Sequence, residues 1–364
     1  MENTLQTNEK ALARDLDQTG MQAALADIAV QRGIAAALDA LYDWSFAVGY
    51  ITREKLEDNK RYRYFDESTG VTFRTQINYA RSNYSPKPLT GVNIPKLHCP
   101  ICYENVGIPG KEDLRVFRFD LAPSRTFFAQ LTPFPLFPYH YVLIDMQKRP
   151  MIMERQSVQD LVDFITMSPG YTGCSNSDVE WAGASVLVHH HYQVFKGLSL
   201  PIMEASIIPE YSGRAKKSGH AVSYGLLNYP IATCRVSSAD AAAFTDACGD
   251  VIAAWKKQLP GKNTCNLTVV RENGMWTAHI IFRNPDHRTP GHLTKIKSEG
   301  VGIIEVAGEG IYPVPKGPEE KELWRMIDEE GLSVIKGVIE GNNPVARSDF
   351  KKLNSLIGDA VYGS

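Results

Sequence analysis

Residues 181–196, WAGASVLVHHHYQVFK, place three consecutive histidines inside an apolar, β-branched run. Ser185-Val186-Leu187-Val188 before them and Tyr192-Gln193-Val194-Phe195 after them predict one strand. Side chains on a strand alternate faces, so His189, His191 and Gln193 share one side; Val188, His190, Tyr192 and Val194 take the other. Two imidazoles and an amide in a row suit phosphate chemistry. The plainer readings are a chance cluster, an exposed tract or a site that only binds metal. A buried strand disfavours them, because polar groups there are costly without partners or a task.

The totals around this strand are those of an ordinary globular chain. Its 364 residues exceed a typical single domain, which predicts two domains or one duplicated α/β unit. A formal charge of −2 gives no bulk attraction to nucleic acid or a membrane surface. No apolar run reaches membrane-span length and the N-terminus is polar, so a cytoplasmic location is expected. The six cysteines are Cys99, Cys102, Cys174, Cys234, Cys248 and Cys265. In such a chain Cys99 and Cys102 are a metal or redox candidate, and the other four are simplest as buried thiols.

Working outward, residues 8–48 show apolar positions at helical spacing, with Gly20 and Gly33 expected to divide them into two or three helices. From Arg61, YRYF, a DESTG turn and VTFRTQINYA predict a hairpin. Arg81 follows in a loop, where an arginine can grip phosphate bidentately or simply be solvated. HCPICYENVG (98–107) carries a CxxC, which can offer two thiolates to Zn²⁺ or act as a redox pair. Proline-punctuated strands then lead to His140, and 154–167 reads as an amphipathic helix with Val158, Leu161, Val162 and Ile165 on one face. Strand, strand, helix, strand implies an α+β unit with a mainly antiparallel sheet.

Residues beyond 197 read as loop-rich; the basic GRAKKSGH (213–220) is expected to be a solvated turn rather than a lid. From about Tyr224 the elements recur in similar order: IATCRV, an Asp240-led helix, then NLTVVRE and WTAHIIFR joined by Asn273-Gly274. C-terminal helices start near Glu319. Three parts follow: a helical segment (1–60), a first half (61–222) and a second half with the C-terminal helices (223–364). The histidine strand is expected to be missing from the second copy.

Three features together resemble the galactose-1-phosphate uridylyltransferase branch of the histidine-triad (HIT) superfamily, which also holds GDP-hexose and diadenosine tetraphosphate phosphorylases. They are Cys99-Pro-Ile-Cys102-Tyr-Glu-Asn105, similar to CxxCxxN; FPLFPYHYVLID, similar to the strand after Pro-x-His; and Gly183-Ala184-Ser185 before His189-His190-His191-Tyr192-Gln193, similar to GxS…HxHxQ. The chain looks most like bacterial proteins of this branch whose second halves carry an NGxW hairpin ending near His-Arg-Pro, here Asn273 to Trp276 and His287-Arg288-Thr-Pro290.

The resemblance implies a HIT-like antiparallel sheet with flanking helices, duplicated as two HIT-like halves. It makes His191 the nucleophile that forms a nucleotidyl-histidine, with His189 orienting the site or binding zinc and Gln193 contacting phosphate oxygens. Zinc would take Cys99, Cys102 and His189; where relatives carry a further histidine, this chain has MQKRPM with Lys148. Arg81, Asn105, His140, Ser185 and Lys196 are the other substrate-facing candidates. His287 and Arg288 are expected to cap a hairpin, and Glu204 loosely matches an LP-x-E run.

An amide cannot serve as a general acid, so Gln193 favours leaving groups that need little protonation and can return as acceptors. The implied activity is nucleotidyl transfer or phosphorolysis on a nucleoside-diphosphate sugar or dinucleoside polyphosphate, with phosphate or a sugar 1-phosphate as acceptor. The expected partner is a nucleotide-type small molecule, and branch relatives suggest a homodimer. The alternatives are a dinucleoside polyphosphate hydrolase and a nucleotide- or metal-binding regulatory protein that has lost turnover.

Overall fold

Short runs with two unlike faces build a large sheet, and the difference between those faces sets where the site lies. The computed structural model describes residues 11–79, 99–183, 186–297 and 300–363, so Arg81, Ala184 and Ser185 lie outside the described residues. Helices α1 (Gln18–Arg32) and α2 (Ile34–Ala47) open the chain, followed by the short α3 (Arg53–Glu57). Gly33 divides α1 from α2 at φ +90°; Gly20 instead sits in the first turn of α1, where its N–H donates to the capping Asp17 carboxylate. The predicted hairpin is β1 (Lys60–Asp66) and β2 (Val71–Ile77), with β13 (Glu309–Tyr312) added in parallel to β2.

The large sheet holds ten strands. The first five are β3 (Val116–Ala122), β4 (Arg125–Leu131), β5 (His140–Asp145), β6 (Tyr171–Ser175) and β7 (His191–Lys196). Helix α4 (Arg155–Met167) lies between β5 and β6 in sequence. The second five are β8 (Ile207–Lys217), β9 (His220–Leu227), β10 (Thr233–Ser238), β11 (Thr264–Glu272) and β12 (Met275–Arg283), with α5 (Ala241–Gln258) between β10 and β11. Across the sheet the order is β3-β4-β5-β7-β6-β11-β12-β10-β9-β8. The second five mirror the first, and the halves meet where β6 pairs antiparallel with β11.

This order corrects several expectations. GRAKKSGH is strand, Ser218-Gly219 turn and strand, because exposed charges alternate with inward residues such as Ala215 along β8. The expected 222/223 boundary falls inside β9, since β8 and β9 pair onward to β10. The counterpart of the histidine strand is present as β12. Cys174 pairs Gln193 in the first half and Thr268 pairs His279 in the second, and the seam aligns Cys174 with Thr268. His279 therefore stands where Gln193 does, and Thr277 where His191 does.

One face of the sheet is apolar: Phe127, Tyr141, Leu143, Tyr192 and Val194 pack with α1, α2, α4 and α5, and Leu267, Ala278 and Ile280 continue the layer. Burial of this face drives folding, at roughly 25 cal/mol per Å² of apolar surface. The other face carries Gln130, His140, His191, Gln193, Asn266, Thr268, His279 and Arg283, all brought to one side by the pairing register. Beside that face lie the small sheet, α6 (Ile303–Val306) and α7 (Glu320–Gly341), while α8 (Phe350–Tyr362) returns to the apolar side. Among the described residues no helix is long and apolar enough to cross a membrane.

Candidate active site

The strand predicted over 185–196 forms only from His191 onward; residues 186–190 take an irregular path. That path has its own backbone bonds: the His190 N–H donates to the Arg149 carbonyl at 2.7 Å, and the Asp145 N–H to the His190 carbonyl at 3.1 Å. Leaving the ladder lets the His189 ring reach the CxxC knuckle. His189 Nδ1 lies 3.3 Å from both Cys99 Sγ and Cys102 Sγ, and its Nε2–H donates to the Asp145 carbonyl at 2.6 Å. The carbonyl accepts only, so Nε2 carries a proton and Nδ1 is the nitrogen aimed at the two sulfurs.

Among the described residues Cys99, Cys102 and His189 form a cluster whose donor atoms lie within 4.8 Å of one another. Tetrahedral zinc bonds of about 2.3 Å to sulfur and about 2.0 Å to nitrogen put S and N roughly 3.5 Å apart, so this donor set fits a metal. Burial, with Cys99 beside it, pushes the Cys102 thiol up to about 12, so cation binding there would release a proton. Lys148 pairs with Glu104 at 2.8 Å, both exposed, beside the knuckle. Asn105, expected to face substrate, donates instead to the Cys99 carbonyl at 2.7 Å and locks the knuckle.

His191 follows on the polar face, 6% exposed. Its Nδ1–H donates to the His189 carbonyl at 2.8 Å, which leaves Nε2 as the nitrogen with the lone pair. Burial holds its pKa below the ordinary histidine value, partly offset by that backbone bond, so the ring is neutral at pH 7. Two residues on, Gln193 Oε1 accepts from His140 Nε2–H at 3.0 Å, while His140 Nδ1 accepts from the Leu136 N–H. His140 thus orients the amide, and Gln193 has N–H donors left to offer an anion. Burial drives the His140 pKa down to about 4, with the Gln193 bond opposing it.

Tyr192 points to the opposite face, as period two requires, and the His190 ring, just ahead of the strand, lies against it. His190 Nε2–H donates to the Tyr192 hydroxyl at 2.6 Å, which donates to Asp160 at 2.8 Å, and Arg125 closes the chain on the same carboxylate. Lys196 has the same parity. Its ammonium lies 2.6 Å from Asp39 of α2 and over the Tyr139 ring, on the face away from His191. Glu204 accepts from the Thr72 N–H, and Arg288 caps a turn through Pro285 while stacking on Trp181.

Sequence reading overlooked Asp145, whose carbonyl sets the His189 tautomer, and the Asn266–Arg283 pair on the same face as His191. The outward parity of Arg283 with His279 in WTAHIIFR was the available signal.

No protein-family profile matches the chain. It is 26% identical to galactose-1-phosphate uridylyltransferase of Caldanaerobacter subterraneus, over 83% of this chain and 64% of that protein. The enzyme of the same name from Lactiplantibacillus plantarum is 27% identical over 72% of this chain and 57% of its own length. The chain therefore spans about three fifths of these curated relatives. Among solved structures, yeast Ap4A phosphorylase superposes with a TM-score of 0.53 at 10% identity, covering 89% of this chain and 97% of that one. Its complex with AMP gives 0.52 at 13% identity. The chain has the HIT-like α+β fold of that phosphorylase, and the likeness to galactose-1-phosphate uridylyltransferases read from its motifs extends along most of its length.

Proposed function

We propose that the protein is a nucleotidyltransferase or phosphorylase acting on a nucleoside-diphosphate sugar or a dinucleoside polyphosphate through His191. The observation that carries this reading is the 2.8 Å bond from His191 Nδ1–H to the His189 carbonyl, which leaves a neutral Nε2 as nucleophile. That nitrogen attacks the α-phosphorus, a P–N bond forms, and the bond from phosphorus to the bridging oxygen breaks. The leaving sugar phosphate or nucleoside phosphate departs with the electron pair. Positive charge then develops on the imidazole, where the His189 carbonyl stabilises it, and Gln193 donates to the phosphoryl oxygens. An acceptor phosphate oxygen reverses the step. Gln193 has no proton to give a strongly basic leaving group, which favours transfer over hydrolysis.

Cys99, Cys102 and His189 would hold zinc, which supplies a structural tie between the knuckle and the chain entering β7. A cytoplasmic setting suits the six free thiols. In the same reading the catalytic half runs from β3 through β7, and the second half opens at β8. Incubation with labelled nucleotide sugars and Ap4A should yield an acid-labile protein adduct that His191→Ala abolishes. Unchanged labelling of that variant would remove the mechanism.

A further inference from the structure

The second half contributes two arginines to the polar face that the mechanism above does not use: Arg235, which donates to His279 and to the Met203 and Ala205 carbonyls, and the more deeply buried Arg283. Arg283, at the end of β12, is 0% exposed. Its guanidinium donates to Asn266 Oδ1, to the Val301 carbonyl at 3.0 Å and to Asn342 Oδ1 at 3.1 Å, while Nε is buried without a partner among the described residues. All three acceptors are neutral. Among the described residues the influence of opposite sign is Glu305, itself paired with Lys297. A cation removed from water with only neutral acceptors is costly, and among the described residues no carboxylate bonds it to cancel its field. Burial lowers its pKa to about 10, so it remains charged at neutral pH.

Its position relates it to His191. Gln193, Cys174 and Thr268 form one rung across β7, β6 and β11; one rung on, in the direction of His191, stands Asn266. Two strand spacings, roughly 10 Å, separate Asn266 from His191, and Arg283, paired with Thr264 on β12, stands one strand farther with its guanidinium reaching back to Asn266. Gly183 lies directly over the pair: a Cβ there would come 2.8 Å from Arg283 Nη1 and 2.9 Å from Asn266 Oδ1, and its φ is +101°. The chain leaving this turn leads to His189 and His191. Asn266 also has a buried Nδ2 with no partner among the described residues.

We propose that Arg283, a residue of the second half, is a positioning residue that supplies positive potential to the phosphate site from behind the Gly183 turn, and so selects diphosphate-bearing ligands. The proposal rests on the nucleotide reading of the His191 site. Asn266→Asp tests it: the change is isosteric, loses no hydrogen bond to a described residue because Nδ2 makes none, and sets a carboxylate against the guanidinium. A purely structural Arg283 would tolerate or welcome this partner.

Wild type and Asn266→Asp are titrated calorimetrically with UDP, GDP and ADP, and with the corresponding uncharged nucleosides. The expected result is an unchanged or higher melting temperature, unchanged nucleoside affinity and diphosphate affinity about tenfold weaker, as loss of one charge at this range implies. Equal diphosphate affinity overturns the proposal while the His191 adduct can still form. A wild type that binds no diphosphate overturns both readings. Should Asn266→Asp fail to fold, Arg283→Gln, which keeps a donor and removes the charge, carries the same expectation and the same overturning result.

Discussion

Lys196 shows how much one side chain's parity decides. It follows Phe195 on β7, and its ammonium turns to Asp39 on the helix-covered face, away from His191. Lys196→Met should leave nucleotide affinity unchanged within twofold. It should cost less than about 1 kcal/mol in urea unfolding, since a half-exposed ion pair contributes little. A large rise in the apparent dissociation constant for phosphate or sugar phosphate would contradict this placement. The period-two pattern of HHHYQVFK already puts residue 196 with Tyr192 and Val194, so its face was legible from the chain alone. The path of His189 was not: its ring bonds Cys99 and Cys102, ninety and eighty-seven residues away, and local pattern carries no such information.

At the scale of elements, sequence reading succeeded where periodicity and caps agree. The Asp240-led helix is α5, with Asp240 Oδ1 accepting from the Ala243 N–H at 2.8 Å. Asn273 and Gly274 both take positive φ in the turn that sets the β11–β12 register. Reading failed at β8, whose outer face is charged and hides the alternation, and at β13, whose four residues pair in parallel with a strand from the other end of the chain. A second tight contact joins those distant segments. A Cβ on Gly331 of α7 would overlap the Tyr64 ring of β1 at 2.1 Å, and the Tyr64 hydroxyl donates to the Ile327 carbonyl at 2.9 Å. Gly331→Val should lower stability by about 1–3 kcal/mol in denaturant unfolding, because the ring cannot yield without leaving that bond. A neutral result would mean that α7 does not rest on β1 in solution.

For the molecule as a whole, buried neutral histidines predict how stability varies with pH. His140 is held down to about 4 and His279 to about 3, chiefly by burial. His279 accepts from Arg235 Nε at 3.1 Å and donates from Nδ1 to Thr268, which fixes the neutral tautomer. Folded values below the unfolded value near 6.5 mean that this stability is fully present above that pH. It is lost as pH falls from there through the folded values. The urea midpoint should therefore drop between pH 7.5 and pH 5, and the drop should be smaller in His279→Gln. An equal drop in the variant would assign the acid sensitivity to other groups.

The seam between β6 and β11 pairs Gly173 with Val269, Cys174 with Thr268 and Ser175 with Leu267, so each strand meets its own counterpart about a local dyad. Such a junction is isologous: a lone half could make it with a twin, and joining the twins in one polypeptide makes their association independent of concentration. A homodimer must keep both copies of every residue alike. Here position 277 is free to be threonine while position 191 stays histidine, and covalent fusion is what permits that asymmetry.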